Sequence, residues 1–478
     1  MINKIVTFII FCNLAIFSAY ADWTITTPAT IAISTSQVNT SCSFDPTTGN
    51  FLAVWNDRGG TNEPAYSFYI PGTGWTAYAA INEETRVLSA VYSACDSSTG
   101  VFIATWADSN NNDYPTYSVY TPGSGWGAIN TITSSIVFNN VFIAFNSVTG
   151  KFMAIWNEDS TDLASYAFYT PGTGWGDFGS IATSSVEGDV FIASDTITGK
   201  TMAAWSDIDS GFPFYSIFTP GTGWSGPTTI ESSSYLYEDV YLSFNSLTGQ
   251  TLATWGDSQN NTAPTYSIYT PGDGWGTTSA LPGSTQVDFD MTSSFDPVTG
   301  QYLAIWSDSN NSGQITYSFY TPGSNWSSPA TISASPEAEA RQNVFLAYDS
   351  LTGQILATWT GDGDESRYPY YSFFDGPAPS PPTPSTPASP QNFKGKVLNN
   401  RFLTQTDRIN KLNWTPANDP TVVRYLLRRN GVLIYTAPST GPYTYEDHNR
   451  NKNVTYVYTL TSQKQNGVES TALTVTLR

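Results

Sequence analysis

Residues 245–275 read NSLTGQTLATWGDSQNNTAPTYSIYTPGDGW. An Asn-Ser-Leu-Thr-Gly turn is followed by an apolar run ending in Trp255. A loop rich in Asp, Gln and Asn comes next, then a Tyr-rich run, then Pro271-Gly272-Asp273-Gly274-Trp275. Gly, Asn, Asp and Pro separate short runs of β-branched and aromatic residues, the pattern that antiparallel hairpins require. With the apolar run before it, the stretch predicts four short strands, at 240–245, 251–255, 266–270 and from 275 onward.

The same pattern recurs with a period near 50. The turn glycine is Gly49, Gly100, Gly150, Gly199, Gly249, Gly300 and Gly353. Six residues later stands Trp55, Trp106, Trp156, Trp205, Trp255, Trp306 and Trp359, each two residues after an Ala. Four strands per repeat of this length mark the blades of a β-propeller, in which stacked neighbours bury one another's faces. The last unit stops at Phe373-Phe374-Asp375-Gly376 without a PGxGW strand. Residues 22–25, Asp-Trp-Thr-Ile, match the residues after such a turn in the other units. The expectation is therefore an all-β chain with a seven-bladed β-propeller over 22–376. Its N-terminal strand closes the ring, with Trp23 as the seventh counterpart of Trp75, Trp126, Trp175, Trp224, Trp275 and Trp326.

In length, Gly turn and Trp the repeat resembles those of kelch-type and Asp-box propellers. It lacks the kelch double glycine apart from Gly59-Gly60, and its D-x-x-TG turn is looser than an Asp-box. The architecture implied by the resemblance carries no particular activity.

Residues 1–21 combine Lys4, an apolar stretch and Ala19-Tyr20-Ala21, the pattern of an export signal. They point to a secreted or extracytoplasmic protein with no membrane span after signal removal. Residues 377–390 read PAPSPPTPSTPASP, an extended polyproline-like spacer. Residues 391–478 form a second all-β module with Trp414 in an early strand, an Asn430-Gly431 hairpin turn and a late strand carrying Tyr456 and Tyr458. This module resembles a fibronectin type III domain, a β-sandwich. The resemblance implies a tyrosine corner at Tyr456 or Tyr458.

The 478 residues carry a formal charge of -20 and a single His. Residues 22–388 hold 34 acidic and 6 basic side chains, whereas the chain from 389 onward holds 5 and 12. An acidic chain is repelled by phosphate backbones, so nucleic acid is an unsuitable partner. The basic C-terminal module could attract anionic surfaces through Arg424, Arg428, Arg429, Arg450 and Lys452. His448, the only His, lies in that module, so triad catalysis within the propeller is excluded. No catalytic residue is assigned, and a non-enzymatic reading is preferred. The alternative is a glycan-active hydrolase, sialidase-like or using two carboxylates.

Three groups of residues are candidates for binding. Asp57, Asp108, Glu158, Asp207, Asp257, Asp308 and Asp362 follow the repeat Trp. Alternating oxygen series such as Asp108-x-Asn110-x-Asn112 and Asp308-x-Asn310 suit calcium, or else cap loop backbone. Glu187, Asp189, Glu238, Asp239, Asp288 and Asp290 precede first strands and should lie on the same face. The PGxGW residues Trp75, Trp126, Trp175, Trp224, Trp275 and Trp326 offer aromatic faces for sugars, and repeated sites would give avidity. Cys42 and Cys95 leave a disulfide open, although same-parity positions in adjacent first strands point them the same way. The reading is an exported recognition or adhesion protein for a protein or glycan ligand, with no obligatory cofactor beyond possible Ca2+.

Overall fold

The 245–250 turn shows how each repeat folds. The Asn245 side chain accepts hydrogen bonds from the N–H groups of Leu247 and Thr248 at 2.9 and 3.0 Å, and Gly249 N–H donates to the Asn245 carbonyl. Gly249 has φ +78, a left-handed conformation that glycine adopts without strain. The turn joins strands Tyr241–Phe244 and Thr251–Asp257. The next strand, Ala263–Thr270, pairs with short strands Gly274–Trp275 and Ser279–Ala280. The second strand is buried along nearly its whole length because it has a strand on either side and a neighbouring sheet on each face.

The computed structural model describes residues 24–32, 39–57, 61–332, 339–340, 343–362, 367–375, 387–401, 406–419, 422–464 and 469–478, without the side chains of 177, 182–184, 290 and 362. The signal-like segment 1–21, Trp23, Gly59-Gly60 and most of the Pro-rich spacer lie outside the described residues. The chain divides into two compact units, Met1–Pro379 and Ser380–Arg478.

In the first unit the innermost strands are Ser41–Asp45, Tyr92–Cys95, Val137–Asn146, the end of Gly174–Ser194, Tyr241–Phe244, Val287–Asp296 and Phe345–Tyr348. Each touches the next, and the last touches the first, so the sheets close into a β-propeller. Closure uses the N-terminal strand: Thr24 and Ile25 pair with Asp375 and Phe374, and Thr26 exchanges backbone and hydroxyl hydrogen bonds with Ser372 and Phe373. The register corrects one expectation. Within a repeat Tyr69 pairs with Trp75, and in the last sheet Phe374 pairs with Ile25, so Ile25 rather than Trp23 takes the Trp position. Ile25 accordingly packs in the cluster that contains Tyr317 and Phe374.

The axis is filled near its middle. The rings of Tyr92, Phe142, Phe191 and Tyr241 follow one another at centroid distances of 4.0, 4.0 and 3.7 Å, and Phe345 completes the plug.

The second unit is two sheets. One holds Gln391–Arg401, Thr406–Thr415 and Thr444–Asp447; the other holds Val432–Pro438, Val422–Arg429, Tyr456–Lys464 and Leu473–Leu477. Leu412, Trp414, Tyr425, Leu427 and Tyr458 form the core between them. The Asn430-Gly431 turn has φ 47 and 82, as a two-residue hairpin needs. Tyr456 Oη accepts the Asn451 N–H, a bond back to upstream backbone, whereas Tyr458 Oη donates to the buried Asp447.

Candidate functional site

The acids that follow the repeat Trp sit where the second strand leaves the sheet. Asp108 Oδ1 accepts the Arg86 and Asn110 N–H groups at 3.0 and 3.1 Å, and Asp308 Oδ1 does the same with Gln286 and Asn310. Asp257 accepts from Gln259, Asp207 from Ser210, and Glu158 from Ser160 and Ser165. Asp57 ends its strand half-buried, and the Asp362 side chain lies outside the described residues. Asp108 and Asp308 thus hold their loops against the segment leading into the first strand, whereas Asp257, Asp207 and Glu158 bond residues just downstream of themselves. The Asn110 side-chain amide is itself turned to the Glu84 carbonyl. Among the described residues no three Asp, Glu, His or Cys side chains are grouped to hold a metal ion.

Of the second group, Asp189 and Asp239 form part of a polar ring that links successive sheets. Ala90 N–H donates to Asn140 Oδ1, Asp189 N–H to Asp239 Oδ1 and Asn343 N–H to Asn39 Oδ1, each bond running to the following sheet. Asn140 Nδ2 donates to Asp189 Oδ2 at 2.7 Å. Burial pushes the Asp189 carboxyl up to about 6, and the Glu238 charge adds to the shift. Burial and the neighbouring Glu187 raise Glu238 as well. The Asp290 side chain lies outside the described residues. Sequence reading found the acids here but missed Asn39, Asn140 and Asn343, which complete the ring.

The PGxGW tryptophans sit between sheets. Trp126 lies edge-on between Tyr120 of its own repeat and Tyr66 of the preceding one, at 5.4 and 5.6 Å. Trp175, Trp224, Trp275 and Trp326 repeat the arrangement, and Trp75 meets Tyr371 across the ring closure. Most of each indole is committed to inter-sheet packing.

Beside these tryptophans, at the end of the sheets opposite the acidic loops, two clefts open between adjacent repeats. One, of about 190 Å³, is lined by Lys151, Met153 and Phe168 on one side and Thr201, Phe218 and Pro220 on the other. The other, of about 310 Å³, has Lys200, Met202 and Ile217 facing Thr251, Tyr269 and Pro271. The two sets occupy the same repeat positions one unit apart. Each cleft thus combines an apolar wall, an aromatic ring, a hydroxyl and an ammonium. Sequence reading missed both clefts.

The Cys42 and Cys95 thiols are free. Burial pushes Cys42 up to about 12 and also raises Cys95, where the Asp45 and Asp96 charges add to the effect. Thiolates are the reactive form. Alkylation of the folded protein at pH 8, read by peptide mass spectrometry, is therefore expected to leave Cys42 and Cys95 unmodified, and denaturant should expose both. Labelling of either in the native state would contradict this burial.

In the second unit the expected anion-attracting arginines are largely paired. Arg428 forms a bidentate bond with Glu469, and Arg429 and Arg450 converge on Asp447. His448 Nδ1 lies 2.6 Å from Asp407, which raises the His448 pKa. Among the described residues no helix is long and apolar enough to cross a membrane.

No family model and no curated protein matches the chain. Solved structures do. The BP39L lectin from Burkholderia pseudomallei is similar over 73% of this chain and 99% of its own, at 15% identity and a TM-score of 0.59. A six-bladed β-propeller lectin from Aleuria aurantia is similar over 62% and 96%, at 10% identity and a TM-score of 0.38. Puromycin hydrolase is similar over 83% and 61%, at 9% identity and a TM-score of 0.47. At these identities the likeness to BP39L shows the propeller fold alone.

Proposed function

We propose that this chain is an exported, non-enzymatic carbohydrate-recognition protein. It combines a seven-bladed propeller closed by its N-terminal strand, a Pro-rich tether over 377–390 and a fibronectin type III-like module. The blade count is supported by seven innermost strands that touch in succession and by the pairing of Ile25 with Phe374. The three-plus-four strand sandwich and the Tyr456–Asn451 bond support the module. The observation that carries the function is the pair of equivalent inter-blade clefts. Each sets an aromatic and aliphatic wall, suited to the apolar face of a sugar, beside hydroxyl and ammonium groups suited to its polar edge. The propeller likeness to a lectin agrees with this reading.

The test is a glycan array probed with the full chain, followed by calorimetry on the hits. Saturable binding without release of any cleaved sugar is expected. Absence of binding to every multivalent glycan, or turnover of one, would overturn the reading.

A further inference from the structure

We propose that the two clefts select anionic sugars, those bearing a carboxylate or sulfate, and that Lys151 and Lys200 supply the selectivity. The inference rests on the carbohydrate-binding reading above. The residue after the turn glycine is Asn50, Val101, Lys151, Lys200, Gln250, Gln301 and Gln354 in the successive repeats. The three glutamines are held within their own repeats. Gln250 Nε2 donates to Thr270 Oγ1 at 3.0 Å, Gln301 Nε2 to Thr321 Oγ1 at 2.8 Å, and Gln354 Nε2 to Asp375. The position thus has a structural use that a neutral amide satisfies.

The two lysines do not take it up. Among the described residues neither ammonium has a hydrogen bond or ion pair. Lys151 Nζ stands 6.0 Å from the Phe168 ring centroid, inside the first cleft. Arg86, by contrast, is paired with Glu63. Two unpaired cations therefore occur at one repeated position of a strongly acidic domain, and both line the clefts. Asp195 also lies on the wall of the second cleft, where it accepts the N–H groups of Ile197 and Thr198, whereas the residues lining the first cleft include no acid.

An ammonium beside an apolar wall complements a ligand with a hydrocarbon face and one negative group. Ammonium–anion hydrogen bonds are among the stronger polar contacts. Met153 and Met202 give each cleft an adaptable floor. The repulsion of the acidic domain acts at long range and is screened beyond about 8 Å at physiological ionic strength, whereas contact within the cleft is not. Because the clefts are one repeat apart, an oligosaccharide long enough to span both would gain affinity through linkage.

The test compares the full chain with the double variant K151Q/K200Q, which installs the residue found in three other repeats. The probes are a uronate oligosaccharide, a sulfated oligosaccharide and their neutral counterparts, measured at two salt concentrations. The expected result is at least tenfold tighter binding of an acidic probe than of its neutral counterpart. The double variant should lose that preference, binding each acidic probe no more tightly than its neutral counterpart, and keep the wild-type melting temperature. The two acidic probes show whether carboxylate or sulfate is preferred. Neutral and acidic probes bound alike would overturn the inference while leaving carbohydrate recognition standing. Acidic binding that survives K151Q/K200Q would also overturn it, assigning the anion to the basic C-terminal module. If no probe binds, the inference fails, and the glycan array decides whether carbohydrate recognition fails with it.

Discussion

Replacing Trp255 by Ala is expected to lower the unfolding free energy by about 4 kcal/mol, the usual cost of emptying a buried aromatic site. Trp255 is fully buried and packs against Ala204 and Tyr215 of the preceding repeat as well as Val240 and Ala253 of its own. Its indole N–H also donates to Ser234 Oγ at 2.9 Å. The substitution therefore opens a cavity at the contact between two sheets and leaves a buried hydroxyl without its donor. In a ring, a loosened contact cannot be relieved by movement at a free end. For a unit of about 350 residues the loss corresponds to a fall in melting temperature of about 5 °C. Trp255→Phe should cost roughly half as much, because it keeps most of the apolar volume. Equal losses in the two variants would place the energy in the hydrogen bond rather than in packing.

The repeats were legible because their code is local. An Asn or Asp that folds its side chain back onto the next two N–H groups, a Gly in the left-handed region and a Trp six residues later all act within one hairpin. The closing strand was only half legible. The sequence called for a Trp at the seam, and Trp23 was at hand. A two-residue shift keeps the same face of a strand inward, so alternation could not reject it. The signal that decides the register is Thr26. Its hydroxyl takes the Phe373 N–H, as Thr76 takes Phe68 and Ser225 takes Ile217. The polar ring and the clefts were not legible. The ring uses Asn, Asp and Ala at one position in irregular segments, and each cleft is assembled from turns of two different repeats. The acids after the repeat Trp end the second strands, and their partners are mainly backbone N–H groups, which no residue pattern displays.

Asp189→Asn is expected to stabilise the protein at pH 8 and to leave it nearly unchanged at pH 4. The folded state holds the Asp189 carboxyl at about 6 against an ordinary 3.8, because burial disfavours the charged form. A carboxyl whose pKa rises on folding binds its proton more tightly in the native state. Its contribution is fully present below about 3.8 and is lost as pH climbs through about 6. The difference amounts to something on the order of 3 kcal/mol at pH 8. An amide cannot ionise, so the variant escapes this loss, and its melting temperature at pH 8 should exceed the parent's by about 4 °C. Asn already occupies the equivalent ring positions at Asn39, Asn140 and Asn343, so the amide fits the space. Its oxygen can still accept from Asn140 Nδ2, and the Asp189 backbone N–H that donates to Asp239 is untouched by the change. The neighbouring Glu238 charge raises the Asp189 carboxyl further, so neutralising one carboxyl also relieves repulsion. Thermal melts of parent and variant at pH 4, 6 and 8 supply the check. A gain of the same size at all three values would assign it to packing, and no gain at pH 8 would mean that Asp189 carries its charge at no cost in the folded ring.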